Sequence, residues 1–217
     1  MSIIFVHEIG HFFAARFYGW NSGKIYIYPL GGVTKFNEDV NRKLIEEFVI
    51  VLMGPVFQII YSLFLICSGC QSSVKFSLFL LSFNLLPIYP LDGGKIVNIF
   101  LGYFFPYRIS SKINVMFSFS MYFILCIYIL KYNRNIFLLF AFFLLFFKIL
   151  EERKNLNSLF NKFLLERYLK NYRFNKIIYI NNVYNMYKNK THFFLVNNEI
   201  LTEKSMLKKF FDNRFSK

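Results

Sequence analysis

The chain has 217 residues, of which 56% are hydrophobic and 22% aromatic, including 31 Phe, and its formal charge is +14. So apolar a composition lies outside ordinary globular usage, and apolar and basic character together suit a membrane protein with basic parts in the cytoplasm. A direct nucleic-acid binder, whose Lys and Arg would line a polar groove, fits less well.

Residues 1–19 form the first apolar run, interrupted by "HEIGH" and Arg16. The run lacks the basic start and small-residue cleavage site of a signal peptide. On a helix, residues four apart share a face, so His7 and His11 can present both imidazoles to one metal ion. Glu8 lies beside the first ligand, placed to take a proton from water rather than bind the metal. A catalytic zinc needs three protein ligands and an open position, so a third ligand must come from elsewhere. An accidental pairing of helix-end histidines is the plain alternative.

Next comes "YIYPLGGV", residues 26–33, with alternating apolar residues and the pair Gly31–Gly32. It reads equally as a strand with its loop or as an ordinary turn. Residues 44–68 follow the basic pair Arg42–Lys43 and are long enough to span a bilayer, which takes about 20 apolar residues. Cys67 and Cys70 close that run as a C-x-x-C. Three cysteines in all are too few for a disulfide framework, and these two read as structural residues at a membrane edge.

The run 74–104 is longer than one span and is broken by "NLLPIYPLDGGK". Pro87 and Pro90 disrupt a helix there, and Gly93–Gly94 permit close backbone approach. Asp92 is the only acidic residue of this run. A carboxylate at membrane depth is costly and usually functional, so Asp92 is the candidate third ligand. The alternative is a loop between short helices, with Asp92 as a cap. Only one other histidine exists, His192, far off in the tail, and it reads as an ordinary surface or core residue.

Two further apolar runs, 113–130 and 135–150, are separated by "KYNRN". From Lys148 onward fifteen Lys and Arg face six Asp and Glu, which places the tail in the cytoplasm by the positive-inside rule. Lys131 and Arg134 fall on the wrong side in that topology. The expected organisation is a membrane domain over 1–150 and a basic cytoplasmic tail over 151–217.

"HEIGH" with "NLLPIYPLDGG" and "MGPVFQ" (53–58) resembles the site-2 protease family of intramembrane zinc metalloproteases. The resemblance implies one zinc ion per chain, with His7, His11 and Asp92 as ligands and Glu8 as base. It implies roles for Asn84 and Pro87 in positioning the substrate strand or stabilising the developing oxyanion, with a polar helix-end role as the alternative for Asn84. It also implies a substrate-positioning role for the Gly31–Gly32 loop, where an extended substrate would add to an edge strand. Gln58 departs from the pattern, which has Asn at this place. No PDZ domain fits between Val33 and the next span.

The tail segments "KFLLERYL", "NKIIYI" and "THFFLV" resemble the family's sporulation branch, implying a short cystathionine-β-synthase-like (CBS) regulatory domain with no nucleotide site that can be carried over by residue. For that branch the substrate is a membrane-associated sigma-factor precursor, and two membrane proteins hold the protease inactive. The setting is the bacterial inner or forespore-surrounding membrane.

The fold expected is an all-α polytopic membrane protein of about five spans, with a small α+β cytoplasmic C-terminal domain. The family usually has a further span before the metal-binding helix, whereas six residues precede His7 here. A catalytically inactive membrane adaptor or sensor is the second reading. A transporter with a midplane Asp is a third, poorly matched to a paired His-Glu-x-x-His and Leu-Asp-Gly.

Overall fold

A computed structural model describes residues 2–20, 25–28, 31–34, 39–132, 136–170, 172, 174–196 and 199–215. The apolar runs form helices. Helix α1 is Ser2–Phe17, α2 Leu44–Cys67, α3 Gln71–Asn84, α4 Asp92–Phe104, α5 Tyr107–Tyr132 and α6 Ile136–Leu169. Between α1 and α2 lies a two-stranded antiparallel hairpin, β1 (Ile25–Tyr28) and β2 (Gly31–Thr34), in which Gly31 pairs with Tyr28 and Gly32 with Ile27. The stretch that reads equally as strand or turn therefore contains two strands. Pro29 and Leu30 lie outside the described residues.

The long third run is broken, as its prolines require. Helix α3 ends at Asn84 and α4 begins at Asp92, and the connection contains a cis peptide bond between Tyr89 and Pro90. Among the described residues, α2 and α5 are long and apolar enough to cross a membrane. Their outward faces carry Ile60, Leu63 and Phe64, and Met116, Phe123 and Ile127, all exposed. The interior packs apolar residues such as Ile88, Val115 and Ile149 and also buries polar side chains, among them Gln58, Ser62, Ser77, Asn114 and Ser118. An apolar exterior with polar side chains kept to the interior is the arrangement expected where lipid is the solvent.

The tail does not begin with a break. Helix α6 runs without interruption through residues 150 and 151, where the composition changes. Beyond it, β3 (Ile177–Ile180), β4 (Thr191–Val196) and β5 (Glu199–Thr202) form one sheet in the order β3-β4-β5, and α7 (Glu203–Phe215) follows. Strands β3 and β4 are parallel, while β4 and β5 are antiparallel. Its core, with Phe160, Phe163, Leu164, Met186, Phe194 and Leu207 fully or almost fully buried, takes in Tyr107 from the start of α5. The tail therefore shares its core with the helical part.

Candidate metal centre

Helices α1 and α2 pack unusually closely because two glycines meet at their crossing. A Cβ on Gly10 would lie 2.3 Å from the Met53 carbonyl oxygen, and one on Gly54 would lie 2.3 Å from His11 Nε2. Gly54 thus leaves the His11 ring its space against α2. In the same way, Gly93 and Gly94 let the 85–91 connection fold back over the first turn of α4. Cβ atoms there would strike the backbone of Leu85 and Tyr89. This close approach carries Asp92, the first residue of α4, to the histidines of α1.

The outcome is a convergence of three candidate ligand atoms. His7 Nε2 stands 3.0 Å from Asp92 Oδ2, His11 Nε2 stands 3.2 Å from the same oxygen, and the two Nε2 atoms are 3.1 Å apart. All three residues, and Glu8, are between 2% and 5% exposed. Ligand atoms of His7, Glu8 and His11 lie within 4.8 Å of one another.

Proton positions follow from the partners on the far side of each ring. His11 Nδ1 is 2.8 Å from the carbonyl oxygen of Ile50, which can only accept. His7 Nδ1 is 2.8 Å from Gln58 Oε1, and the amide end of Gln58 donates to the Ser77 carbonyl at 2.9 Å. Both histidines therefore carry their proton on Nδ1 and direct an Nε2 lone pair at the Asp92 oxygen.

Three lone-pair acceptors facing one another in a buried space repel. A proton on one imidazole would relieve one contact and leave the rest; a cation between the three atoms relieves them all. Ligands at about 2.0–2.1 Å from a tetrahedral zinc stand roughly 3.3 Å apart, close to the separations found. The donor set and its spacing fit zinc. The other carboxylate oxygen of Asp92 is taken by Lys95, whose Nζ is 2.9 Å from Oδ1, so Oδ2 alone faces the histidines.

Sequence reasoning missed Lys95, although three residues after Asp92 in one helix is the spacing at which an ion pair forms. Ser62 and Ser77 were equally invisible, because nothing local marks a serine that anchors a distant amide. Asn84 ends α3 and Pro87 lies in the following connection, both half-buried. Among the described residues no hydrogen bond ties Asn84 to the three ligand atoms. His192 is a buried core residue of the tail, as a lone histidine often is. Cys67 and Cys70 are free and exposed.

Residues 1–75 match peptidase family M50, a stretch holding His7, Glu8 and His11 but not Asp92. The chain is 31% identical over 179 residues to stage IV sporulation protein FB of Bacillus subtilis, covering 76% of this chain and 61% of that protein. It is 27% identical over 155 residues to a zinc metalloprotease of Methanocaldococcus jannaschii, covering 66% of this chain and 45% of the relative. It thus spans less than two thirds of the length of either relative. Its fold is similar to that of the site-2 protease from Methanocaldococcus jannaschii, with a TM-score of 0.58 at 28% identity over 70% of this chain and 74% of the other. Over residues 1–75 the chain is thus similar to peptidase family M50, and its fold is similar to that of a site-2 protease.

Proposed function

We propose that the chain is an intramembrane zinc endopeptidase. One observation carries this reading: His7, His11 and Asp92 bring three lone pairs to one buried point beside Glu8. A zinc ion bound there supplies Lewis-acid polarisation of the substrate carbonyl and lowers the pKa of a water molecule. His7, His11 and Asp92 hold the ion, and Lys95 keeps Asp92 to one coordinating oxygen. Glu8 accepts the proton of the attacking water and passes it to the departing amine. The broken 74–104 run and the Gly31–Gly32 loop let water reach the site while lipid is excluded, and the buried surround holds the geometry of His7, His11 and Asp92.

A helical substrate shields its own peptide bonds, so the scissile segment must be extended. The hairpin β1–β2 follows the metal-binding helix and offers a strand edge for such a segment, with Gly31 and Gly32 allowing close approach. Asn84 and Pro87, just before Asp92, are assigned to positioning the same segment. The helices cross the membrane as a bundle, and the 151–217 tail faces the cytoplasm as a short CBS-like regulatory domain. The likeness to stage IV sporulation protein FB supports a substrate of the sigma-factor precursor type, cut near its membrane-associated pro-sequence, with inhibitory membrane proteins as further partners.

The test is co-expression with a membrane-tethered sigma-factor precursor, comparing wild type with Glu8→Gln. Shortened product from wild type alone is expected. Product from both would point to a host enzyme and sink the assignment of Glu8. Product from neither, with no stoichiometric zinc in the purified protein, would sink the protease reading.

A further inference from the structure

Gln58 lies in α2 one turn beyond Gly54, fully buried among apolar helices. A primary amide in such a place must satisfy its carbonyl and its amine separately, and here every hydrogen can be assigned. Ser62 Oγ lies 2.8 Å from the Gln58 main-chain oxygen, to which it can only donate. The Ser62 and Ser77 hydroxyls are 2.7 Å apart, so Ser77 donates to Ser62. Ser77 Oγ is left as an acceptor, and Gln58 Nε2 donates to it at 3.3 Å and to the Ser77 carbonyl at 2.9 Å. Only one orientation of the amide satisfies this chain. It points Oε1 at His7 Nδ1, 2.8 Å away.

We infer that Gln58 is the positioning residue of the metal centre: anchored by Ser77 and Ser62, its carbonyl fixes His7 as the Nδ1–H tautomer and aims Nε2 at the ligand cluster. The inference rests on the reading of His7, His11 and Asp92 as metal ligands. The three residues belong to two helices: Gln58 and Ser62 to α2, Ser77 to α3. The pairing of α2 with α3 is thereby transmitted to a ligand on α1. His11 has a backbone partner on its far side, the Ile50 carbonyl, that no substitution of a side chain can remove. His7 depends on a side chain, and is the ligand that a second helix pair can adjust. Partners of this kind on metal-binding histidines change metal affinity by about 10–100-fold when removed.

The test uses the full chain purified in detergent, stripped of metal and titrated with Co2+ and with Zn2+ against a competing chelator. Thermal unfolding of the metal-free protein is measured in parallel. Gln58→Leu is expected to weaken metal binding about 10–100-fold and to alter the Co2+ visible bands. Gln58→Glu keeps an acceptor for His7 Nδ1–H and is expected to bind at least as tightly as wild type. A residue that only fills space and serves Ser77 predicts the opposite order, because Glu buries a charge and loses both N–H donors while Leu packs well. That reversed order, or equal affinity of wild type and Gln58→Leu, overturns the inference.

If Gln58→Leu shows no cooperative unfolding, Gln58→Met decides, since an unbranched side chain of similar length fills the same place and offers His7 Nδ1–H no amide carbonyl. Weaker metal binding is expected there, and unchanged affinity overturns the inference. His7→Ala separates the two levels. Metal binding by that variant equal to wild type would defeat the metal-centre reading itself, whatever Gln58 does.

Discussion

Glu8 and His7 are neighbours on α1, yet their proposed roles separate cleanly by experiment. His7 offers a lone pair to the cluster and its loss removes a ligand. Glu8 is the base, so its amide should leave the metal in place and remove the chemistry. Glu8→Gln is expected to retain stoichiometric zinc while cleavage falls by about 10²–10⁴-fold. Asp92→Ala should instead lose both zinc and cleavage, because the two remaining ligands cannot hold the ion against water. Metal analysis of the two purified variants, beside a cleavage assay, distinguishes them; zinc lost from Glu8→Gln would mean that Glu8 is a ligand. Lys95 adds a subtler expectation. Its ion pair holds Asp92 Oδ1, and Lys95→Met frees that oxygen to compete for the cation, changing the coordination number. A shift in the Co2+ visible spectrum without loss of the metal would show it.

At the scale of elements the site depends on close helix approach, and glycine makes that approach possible. A Cβ at residue 54 would lie 2.3 Å from His11 Nε2, the ligand atom itself. Gly54→Ala must therefore push the His11 ring away from the cluster or part α1 from α2. Loss of metal binding with retained helical content is the expected result, measured by zinc stoichiometry and circular dichroism; full metal content would show that the ring has room to move. The convergence of His7, His11 and Asp92 was legible in sequence because such residues are rare in apolar runs: His-Glu-x-x-His, and one Asp beside prolines and glycines. The broken third run was legible from Pro87 and Pro90. What sequence could not supply is which side chains lie behind the ligands. Gln58 in "MGPVFQ" is a visible departure, but its bond to His7 spans 51 positions and depends on serines that carry no local signal. The continuity of α6 was equally hidden, since a switch from apolar to charged residues marks a change of solvent as readily as a change of domain.

Taken whole, the molecule joins tail to core at the entrance to α2 and at the start of α5. The guanidinium of Arg167, fully buried at the end of α6, donates from Nε to Asn41 Oδ1 at 2.6 Å and pairs with Glu203 of α7 at 3.3 Å. Lys188 pairs with Glu47 in the first turn of α2, and the Tyr107 N–H donates to the Met186 carbonyl. His192 completes this latch as a neutral residue. Its Nδ1 donates to Glu203 at 2.7 Å, and its Nε2 accepts from the Tyr187 N–H at 2.9 Å. Burial holds its pKa below the ordinary 6.5, Arg167 and Lys190 act in the same direction, and the Glu203 carboxylate opposes them.

Below pH 6.5 the unfolded tail therefore takes up a proton that the folded tail refuses, and stability falls as pH drops through that window. A second loss follows below 4.5. There burial pushes the Glu203 carboxyl up, but its hydrogen bond to His192 and the charge of Arg167 outweigh burial and hold it low. Protection of amides across residues 174–196, corrected for the intrinsic pH dependence of exchange, should fall between pH 7.5 and 5.5, and His192→Gln, which has no proton to gain, should flatten that dependence. Protection independent of pH in the wild type would mean that His192 is not held neutral. Arg167→Met leaves Glu203 and Asn41 without their buried partner at a cost of about 3–5 kcal/mol, and should loosen the same residues at every pH. Asn41 stands three residues before α2, the helix that bears Gly54 and Gln58 against the two histidines. A tail released at Arg167 thus frees the start of the helix that shapes the metal centre, and weaker metal binding by Arg167→Met is the outcome that would tie the two ends of the chain together.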